Sequence, residues 1–205
     1  MTLDKRFQNL FLEVVNKAAI SSFNFIGKND KIAADKAAVD SMRQTLNKIE
    51  MNGQIVIGEG ELDEAPMLYI GEKVGSMKGP ELDIAVDPLE GTNFVAKNLP
   101  GALSVISIAN KNNLLNAPET YMNKISVNTS ETGVVDLDYS LKKNIHNLAE
   151  YKNKKPENIT ACILNRPRHK NMIEELKVLG VKLKLISDGD VSGALLVTDK
   201  KYCID

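Results

Sequence analysis

One stretch decides how this chain is interpreted: Asp83-Ile84-Ala85-Val86-Asp87-Pro88-Leu89-Glu90-Gly91-Thr92. Its first four residues are predicted to form a short strand, in which Ile84 and Val86 are apolar and β-branched. Asp87 and Glu90 then lie three residues apart, across a turn whose φ angle is preset by Pro88. We therefore expect both carboxylates to face one point directly after the strand.

Gly91 and Thr92 complete this segment. Glycine lets the backbone turn sharply, and the threonine hydroxyl is expected beside the two carboxylates. A helix beginning after the turn would offer N–H groups to a phosphate. The alternative is an ordinary β-turn closed by a capping threonine.

A second acidic group follows the predicted strand Ile55 to Ile57. It contains four carboxylates within six residues, beside two glycines: Glu59, Glu61, Asp63 and Glu64. Carboxylate oxygens suit hard cations such as Mg2+ or Mn2+. The alternative is a solvated acidic turn.

The rest of the chain alternates between helical and strand patterns, which predicts an α/β or α+β layered sandwich. Helices are predicted from Leu3 to about Gly27, and over 33–49, 64–74, 140–151, 169–179 and from 191 to 197. Strands are predicted over 54–57, 83–86, 103–109, 159–164 and 181–186. The last six residues, from Lys200, have a strand-like pattern that stops abruptly, so we expect the chain to be a fragment.

Composition excludes several classes of protein. The 205 residues include 26 Lys and Arg against 27 Asp and Glu, a net charge of −1, which argues against a nucleic-acid binder. No stretch approaches the roughly 20 apolar residues of a membrane helix. The N-terminus lacks a signal-peptide core, and the distant Cys162 and Cys203 fit a reduced, cytoplasmic protein.

The segment 87–92 resembles the signature of the lithium-sensitive, metal-dependent phosphatase superfamily, which includes inositol monophosphatases. A wider set of segments resembles the class II fructose-1,6-bisphosphatases of bacteria, and this resemblance extends from about residue 3 to the end of the chain. The segments are 27–35, 55–61, 63–72, 115–118, 166–169 and 188–190.

The resemblance implies a role for each matching residue. The metal ligands would be Asp35, Glu59, Asp87 and Glu90. The substrate contacts would be Glu90, Gly91, Thr92, Tyr121, Arg166, Pro167, Arg168, Asp188, Gly189 and Asp190. Lys31 and Asp63 would lie near the catalytic centre, and Thr92 would orient the attacking water while Asp35 or Asp63 accepts its proton.

Side-chain chemistry is consistent with these roles. A guanidinium fork matches a phosphate, so Arg166 or Arg168 could hold a second, non-reacting phosphate. Asp188 and Asp190 could accept hydrogen bonds from sugar hydroxyls, and Tyr121 could donate its phenol to a phosphate oxygen. The alternatives are a surface helix start for the arginines, a capped turn for the aspartates and a packing role for Tyr121. His169 is expected in the first helical turn and His146 on a surface helix, neither as a catalytic base.

The resemblance predicts an Mg2+- or Mn2+-dependent hydrolase that removes the 1-phosphate of fructose 1,6-bisphosphate in gluconeogenesis. Alternatives are an inositol-monophosphatase-like enzyme, a sedoheptulose-bisphosphate phosphatase, or a non-catalytic metal- or sugar-phosphate-binding protein. The expected partners are a sugar bisphosphate and further copies of the full-length chain, with no nucleic acid or membrane.

The resemblance also predicts how the chain is divided. The fold would be of the sugar-phosphatase and inositol-monophosphatase type, with one half-domain over about 1–150 and the beginning of a second over 151–205. The family continues into a Gly-Gly-Ala-Pro-Glu-Gly segment that supplies a further metal ligand. Since no such segment occurs here, we expect the 205-residue chain alone to be inactive or poorly folded.

Overall fold

The computed structural model describes residues 5–58, 67–117 and 120–205. In chain order its helices and strands are α1 (Lys5–Phe23), α2 (Lys31–Leu46), β1 (Asn52–Ile57), β2 (Lys73–Val74), β3 (Glu81–Glu90), α3 (Thr92–Ala96), β4 (Leu103–Asn110), α4 (Leu141–Tyr151), β5 (Thr160–Leu164), α5 (Lys170–Val178), β6 (Lys182–Ile186) and α6 (Asp190–Leu195). Short 3-10 helices cover Pro156–Asn158, Pro167–His169, Leu196–Thr198 and Lys200–Tyr202. The fold is mixed α/β, as predicted.

The chain forms two compact units, Met1–Thr120 and Tyr121–Asp205. Helix α4 belongs to the second unit. The reason is that Ile145 and Leu148 of α4 share a core with Ile159.

The first unit is a four-stranded mixed sheet with two long helices packed on it. The strand order is β2-β1-β3-β4, with β1 and β3 parallel and both outer strands antiparallel to their neighbours. Leu82, Ile84 and Val86 of β3 contribute to one core with α1 and α2. Alternation along the strand turns these residues to one face, which is why the helices cover it.

The second unit is built around a parallel pair of strands. β5 and β6 are in register from Thr160 opposite Lys182 to Leu164 opposite Ile186. Leu148 of α4 and Leu176 of α5 are buried in the core beside this pair. The Ser140 side chain caps α4 by accepting a hydrogen bond from the Lys143 backbone N–H, which explains where that helix begins.

Two predicted elements are wrong. The described part of the predicted helix 64–74 is not helical, because Lys73–Val74 forms an antiparallel strand on β1. The predicted C-terminal strand is replaced by the 3-10 turn Lys200–Tyr202. Pairing with β1 decides the first of these, whereas the Asp199 side chain caps the second by accepting a hydrogen bond from the Lys201 N–H.

Across the described residues, no helix combines the length and apolar character required to cross a membrane.

Candidate functional site

The acidic segment after residue 86 lies within a strand and not in a free turn. β3 continues through Glu90, and its pairing with β4 shifts between Asp87, opposite Val105, and Glu90, opposite Leu103. Asp87 and Glu90 are three positions apart on β3, but their partners are only two positions apart on β4, so β3 carries one extra residue, which defines a β-bulge. Bulges of this kind re-aim side chains and are enriched beside active sites.

The bulge sets the direction of the two carboxylates. Val105 and Leu103 are two residues apart on β4, so they share a face of the sheet. Asp87 and Glu90, which oppose them, therefore lie on the same face. In a regular strand residues three apart would lie on opposite faces, so the bulge brings the two carboxylates to one side.

Gly91 makes the turn from β3 into α3. Its φ of 82° lies in the left-handed region, and a Cβ there would stand 2.8 Å from Phe94 Cδ2. The Phe94 backbone N–H donates to the Gly91 carbonyl at 2.8 Å. The predicted sharp turn is confirmed, and it places half-buried Thr92 as the first residue of α3.

Backbone hydrogen bonds bring the start of α2 to α3. The N–H groups of Gly27 and Asn29 each donate at 2.9 Å, to the carbonyls of Val95 and Ala96. Asp30 caps α2 by accepting from the Ala33 N–H. The first turns of α2, which carry two predicted site residues, are therefore anchored beside the short helix that follows Glu90.

Those two residues are Lys31 and Asp35, one helical turn apart on α2. Lys31 is exposed, whereas Asp35 is half-buried and its Oδ1 atom is shielded from solvent, with no hydrogen-bond partner among the described residues. Burial raises the pKa of the Asp35 carboxyl above its ordinary value. By contrast, the buried Asp83 accepts backbone N–H bonds from Asn113 at 3.0 Å and Leu114 at 3.3 Å.

Other carboxylates of the predicted site have different surroundings or lie outside the described residues. Glu90 is 5% exposed, and the Oδ1 atom of Asp87 and the Oε2 atom of Glu90 are shielded from solvent. Glu59 and Asp63 fall outside the described residues. Within residues 5–58, 67–117 and 120–205, no three His, Cys, Asp or Glu side chains are grouped as a metal site would require.

The second unit carries the other predicted group at one edge of its parallel pair. Arg166–Arg168 follows β5 and Asp188–Asp190 follows β6, and the two strands end opposite each other at Leu164 and Ile186. The Asn165 N–H donates to the Ile186 carbonyl at 2.8 Å, which ties the two loops together. Carboxyl ends of parallel strands are where open α/β sheets bind ligands.

Both guanidinium groups of this edge have protein partners. Arg166 Nη2 lies 3.4 Å from Asp188 Oδ1, and Arg168 Cζ lies 4.0 Å from the centre of the Tyr121 ring. Tyr121 is itself 80% exposed. Its contact is therefore stacking under a cation rather than packing in a core, which disfavours the alternative interpretation of this tyrosine.

Lys124 is a member of this edge that the sequence analysis missed. Its Nζ forms an ion pair with Oδ2 of Asp190. Gly189, with a φ of 79°, provides the left-handed residue that begins α6 at Asp190. Nothing in the local pattern around Lys124 signals this contact, because its partner lies 66 residues later.

Residues 6–205 match the family model described as bacterial fructose-1,6-bisphosphatase, glpX-encoded. The chain belongs to this family.

Curated relatives carry consistent names. A Synechocystis protein named D-fructose 1,6-bisphosphatase class 2/sedoheptulose 1,7-bisphosphatase is 46% identical over 196 residues, covering 90% of this chain and 57% of the relative. An Escherichia coli protein named fructose-1,6-bisphosphatase 1 class 2 is 46% identical over 186 residues, covering 91% of this chain and 55% of the relative. The chain thus spans little more than half the length of these relatives.

Proposed function

We propose that this protein is a metal-dependent phosphohydrolase that removes the 1-phosphate of D-fructose 1,6-bisphosphate, yielding fructose 6-phosphate and inorganic phosphate in gluconeogenesis. The observation that carries the proposal is the family match over residues 6–205, with the Asp87–Thr92 segment at the end of a bulged strand. The class 2 names of the relatives support the same reaction.

The residues of the first unit fit a divalent cation. Asp35 Oδ1 is a shielded acceptor that no described residue hydrogen-bonds, and such an atom is costly unless a cation or donor satisfies it. Asp87 and Glu90 place two more carboxylates on one face of the sheet. With Glu59, these residues would hold Mn2+ or Mg2+, two ions or more, which when bound would polarise the phosphoryl oxygens.

The same unit would position the water and the scissile phosphate. Thr92, at the start of α3, would orient the attacking water through its hydroxyl, and Asp35 or Asp63 would accept the proton. The N–H groups of Gly91 and Thr92 would bind a phosphate oxygen. Lys31, exposed at the start of α2, would add a positive charge near the reacting group.

The second unit would bind the rest of the substrate. Arg166 and Arg168 would hold the non-reacting phosphate, with Pro167 fixing the loop between them. Tyr121 would donate its phenol to a phosphate oxygen. Asp188 and Asp190, on either side of Gly189, would accept hydrogen bonds from the sugar hydroxyls.

Sedoheptulose 1,7-bisphosphate is a second candidate substrate, because the cyanobacterial relatives are named for both activities. Three expectations about fold type, location and assembly belong to the same proposal. They are a layered sandwich of the inositol-monophosphatase type, a cytoplasmic location and assembly of the full-length protein into a homo-oligomer.

The test is phosphate release by the protein at its full natural length, with added Mn2+ or Mg2+. Fructose 1,6-bisphosphate, sedoheptulose 1,7-bisphosphate and inositol 1-phosphate are compared in parallel. We expect release from a bisphosphate and none after chelation by EDTA. Release from inositol 1-phosphate alone would move the protein to the monophosphatases, and metal binding without any turnover would favour a binding protein.

A further inference from the structure

The turn that carries the two arginines is tied to the last residue of β5 by His169. The Leu164 carbonyl accepts the Arg166 backbone N–H at 3.0 Å and is 2.7 Å from Nδ1 of the half-buried His169 ring. The His169 backbone N–H in turn donates to the Arg166 carbonyl at 2.9 Å. A carbonyl can only accept, so this contact assigns a hydrogen to Nδ1.

These bonds close the loop into a ring. The His169 side chain thus adds a bond between the 3-10 turn Pro167–His169 and β5 to the backbone bonds of the loop. Arg168 and Pro167 are exposed, so little packing holds them from the solvent side. The hydrogen bond from the His169 imidazole to Leu164, called the strut below, therefore fixes the backbone of a loop whose functional side chains are long and flexible.

The position of this loop affects both guanidinium groups, because each is oriented by a contact with a residue outside the loop. Arg166 reaches Asp188 and Arg168 lies over Tyr121. A shift of the loop backbone by a fraction of a hydrogen-bond length would change both alignments at once. Pre-organised donors bind an anion more tightly because less ordering is left to do on binding.

We infer that His169 is a positioning residue for the anion-binding arginines, and that its Nδ1–H bond to Leu164 tunes substrate affinity without taking part in the chemical step. The inference rests on the proposed function and deepens it. His169 acts through the loop, so its loss should raise KM for the bisphosphate and leave kcat nearly unchanged.

Two substitutions separate the hydrogen bond from the bulk of the ring. In His169→Asn the side-chain amide nitrogen lies close to where Nδ1 was and can still donate to Leu164. In His169→Gln the amide is one bond further out and this bond is lost. We expect KM for fructose 1,6-bisphosphate to rise about three- to tenfold in His169→Gln, the equivalent of one net hydrogen bond, and to stay within threefold in His169→Asn.

His146 offers a matched control. Its Nδ1 lies 2.8 Å from the Lys142 carbonyl, so it makes the same kind of bond, but on the exposed face of α4. His146→Gln should change neither KM nor kcat. Thermal unfolding of all variants reports whether any change in KM follows a general loss of stability.

The outcomes decide the inference either way. A KM for His169→Gln within threefold of the unsubstituted protein, a fall in kcat in place of the rise in KM, or an equal rise in both His169 variants would overturn it. If His169→Gln does not fold, His169→Asn decides: a KM within threefold supports the strut and a larger rise refutes it.

A binding measurement keeps this test apart from the proposed function. Calorimetry with fructose 6-phosphate, which carries the non-reacting phosphate, needs no turnover. If the protein releases no phosphate from the bisphosphate, the proposed function fails, yet weaker fructose 6-phosphate binding in His169→Gln than in His169→Asn would still support the strut. If the unsubstituted protein does not bind fructose 6-phosphate, the assignment of the non-reacting phosphate to this loop fails and the inference about His169 fails with it, whereas the proposed function is still decided by phosphate release.

Discussion

The two units of this protein carry their predicted site residues on different kinds of scaffold. In the first unit, acidic side chains lie on and beside a buried strand, β3, whose residues Leu82 and Ile84 are almost inaccessible to solvent. In the second, two arginines follow β5 and two aspartates follow β6, and the residues of both strands are half-buried or exposed. The register of a buried strand thus fixes the two carboxylates, whereas the two arginines lie on a loop and are oriented by contacts with Asp188 and Tyr121.

The largest effect is expected from substituting an acidic residue of the bulge in the first unit. Asp87→Asn keeps the size of the side chain and removes one charge from the bulge. If Asp87 holds a metal, phosphate release should fall more than about a hundredfold, with the circular dichroism spectrum unchanged. Glu90→Gln should behave alike. Retained activity in either variant would refute the metal assignment.

The second prediction compares two glycines with the same backbone angle, one in each unit. Gly91 has a φ of 82° and no room for a Cβ, whereas Gly133 has a φ of 81° and nothing within 4 Å. Alanine at Gly133 should cost about 1–2 kcal/mol of backbone strain. Alanine at Gly91 adds a clash with Phe94 and should cost about 2–4 kcal/mol.

Urea unfolding measures this difference directly. Equal losses at the two positions would mean that the Phe94 contact relaxes freely. The turn into α3 would then be less constrained than its geometry indicates.

A third prediction concerns the arginines of the second unit. Arg168→Lys keeps the charge but loses the planar group that lies over Tyr121, so KM for the bisphosphate should rise about tenfold. Arg6→Lys is the matched control, because Arg6 Cζ lies 5.1 Å from the Phe7 ring centre in the first unit. Steady-state kinetics should show no change for the control; an unchanged KM in Arg168→Lys would show that charge alone suffices.

The smallest effect concerns the pH dependence of the second unit. Burial raises the pKa of Asp205, but bonds from Lys154 at 2.6 Å, the Thr160 N–H at 2.9 Å and Lys152 at 3.1 Å outweigh it, so its pKa is lowered. The folded-state pKa thus lies below the unfolded one. The stability that Asp205 contributes is present above the ordinary carboxyl pKa of about 4 and is lost as the pH falls through the folded value.

Asp205→Asn should therefore lower the free energy of unfolding at pH 7 by about 1 kcal/mol or less, and the difference should shrink below about pH 4. Urea unfolding across this range is the measurement. The exposed Asp199, paired with Lys201, is the control and should show a smaller difference because solvent screens it. If the free energies of unfolding of Asp205→Asn and the unsubstituted protein differed by the same amount at low pH, the ionic explanation would be contradicted.

Local pattern predicted the elements that carry the two groups with useful accuracy. The strand before Asp87, the turn at Gly91, the strand before Arg166 and the helix that ends at Tyr151 are all confirmed within a few residues. These features depend on neighbours in sequence, such as apolar alternation, a glycine at a sharp turn or a serine at a cap. Local pattern failed at Lys73–Val74, where pairing with β1 overrides a helical spacing.

The sequence by itself determined the residue types of the site, the order of its elements and the family resemblance, because those reside in short segments. Only the tertiary structure decided that a bulge puts Asp87 and Glu90 on one face, since the bulge is defined by pairing with β4. Parallel pairing of β5 with β6 likewise brought Arg166–Arg168 and Asp188–Asp190 to one edge. Register and pairing join residues far apart in the chain, and no local propensity encodes them.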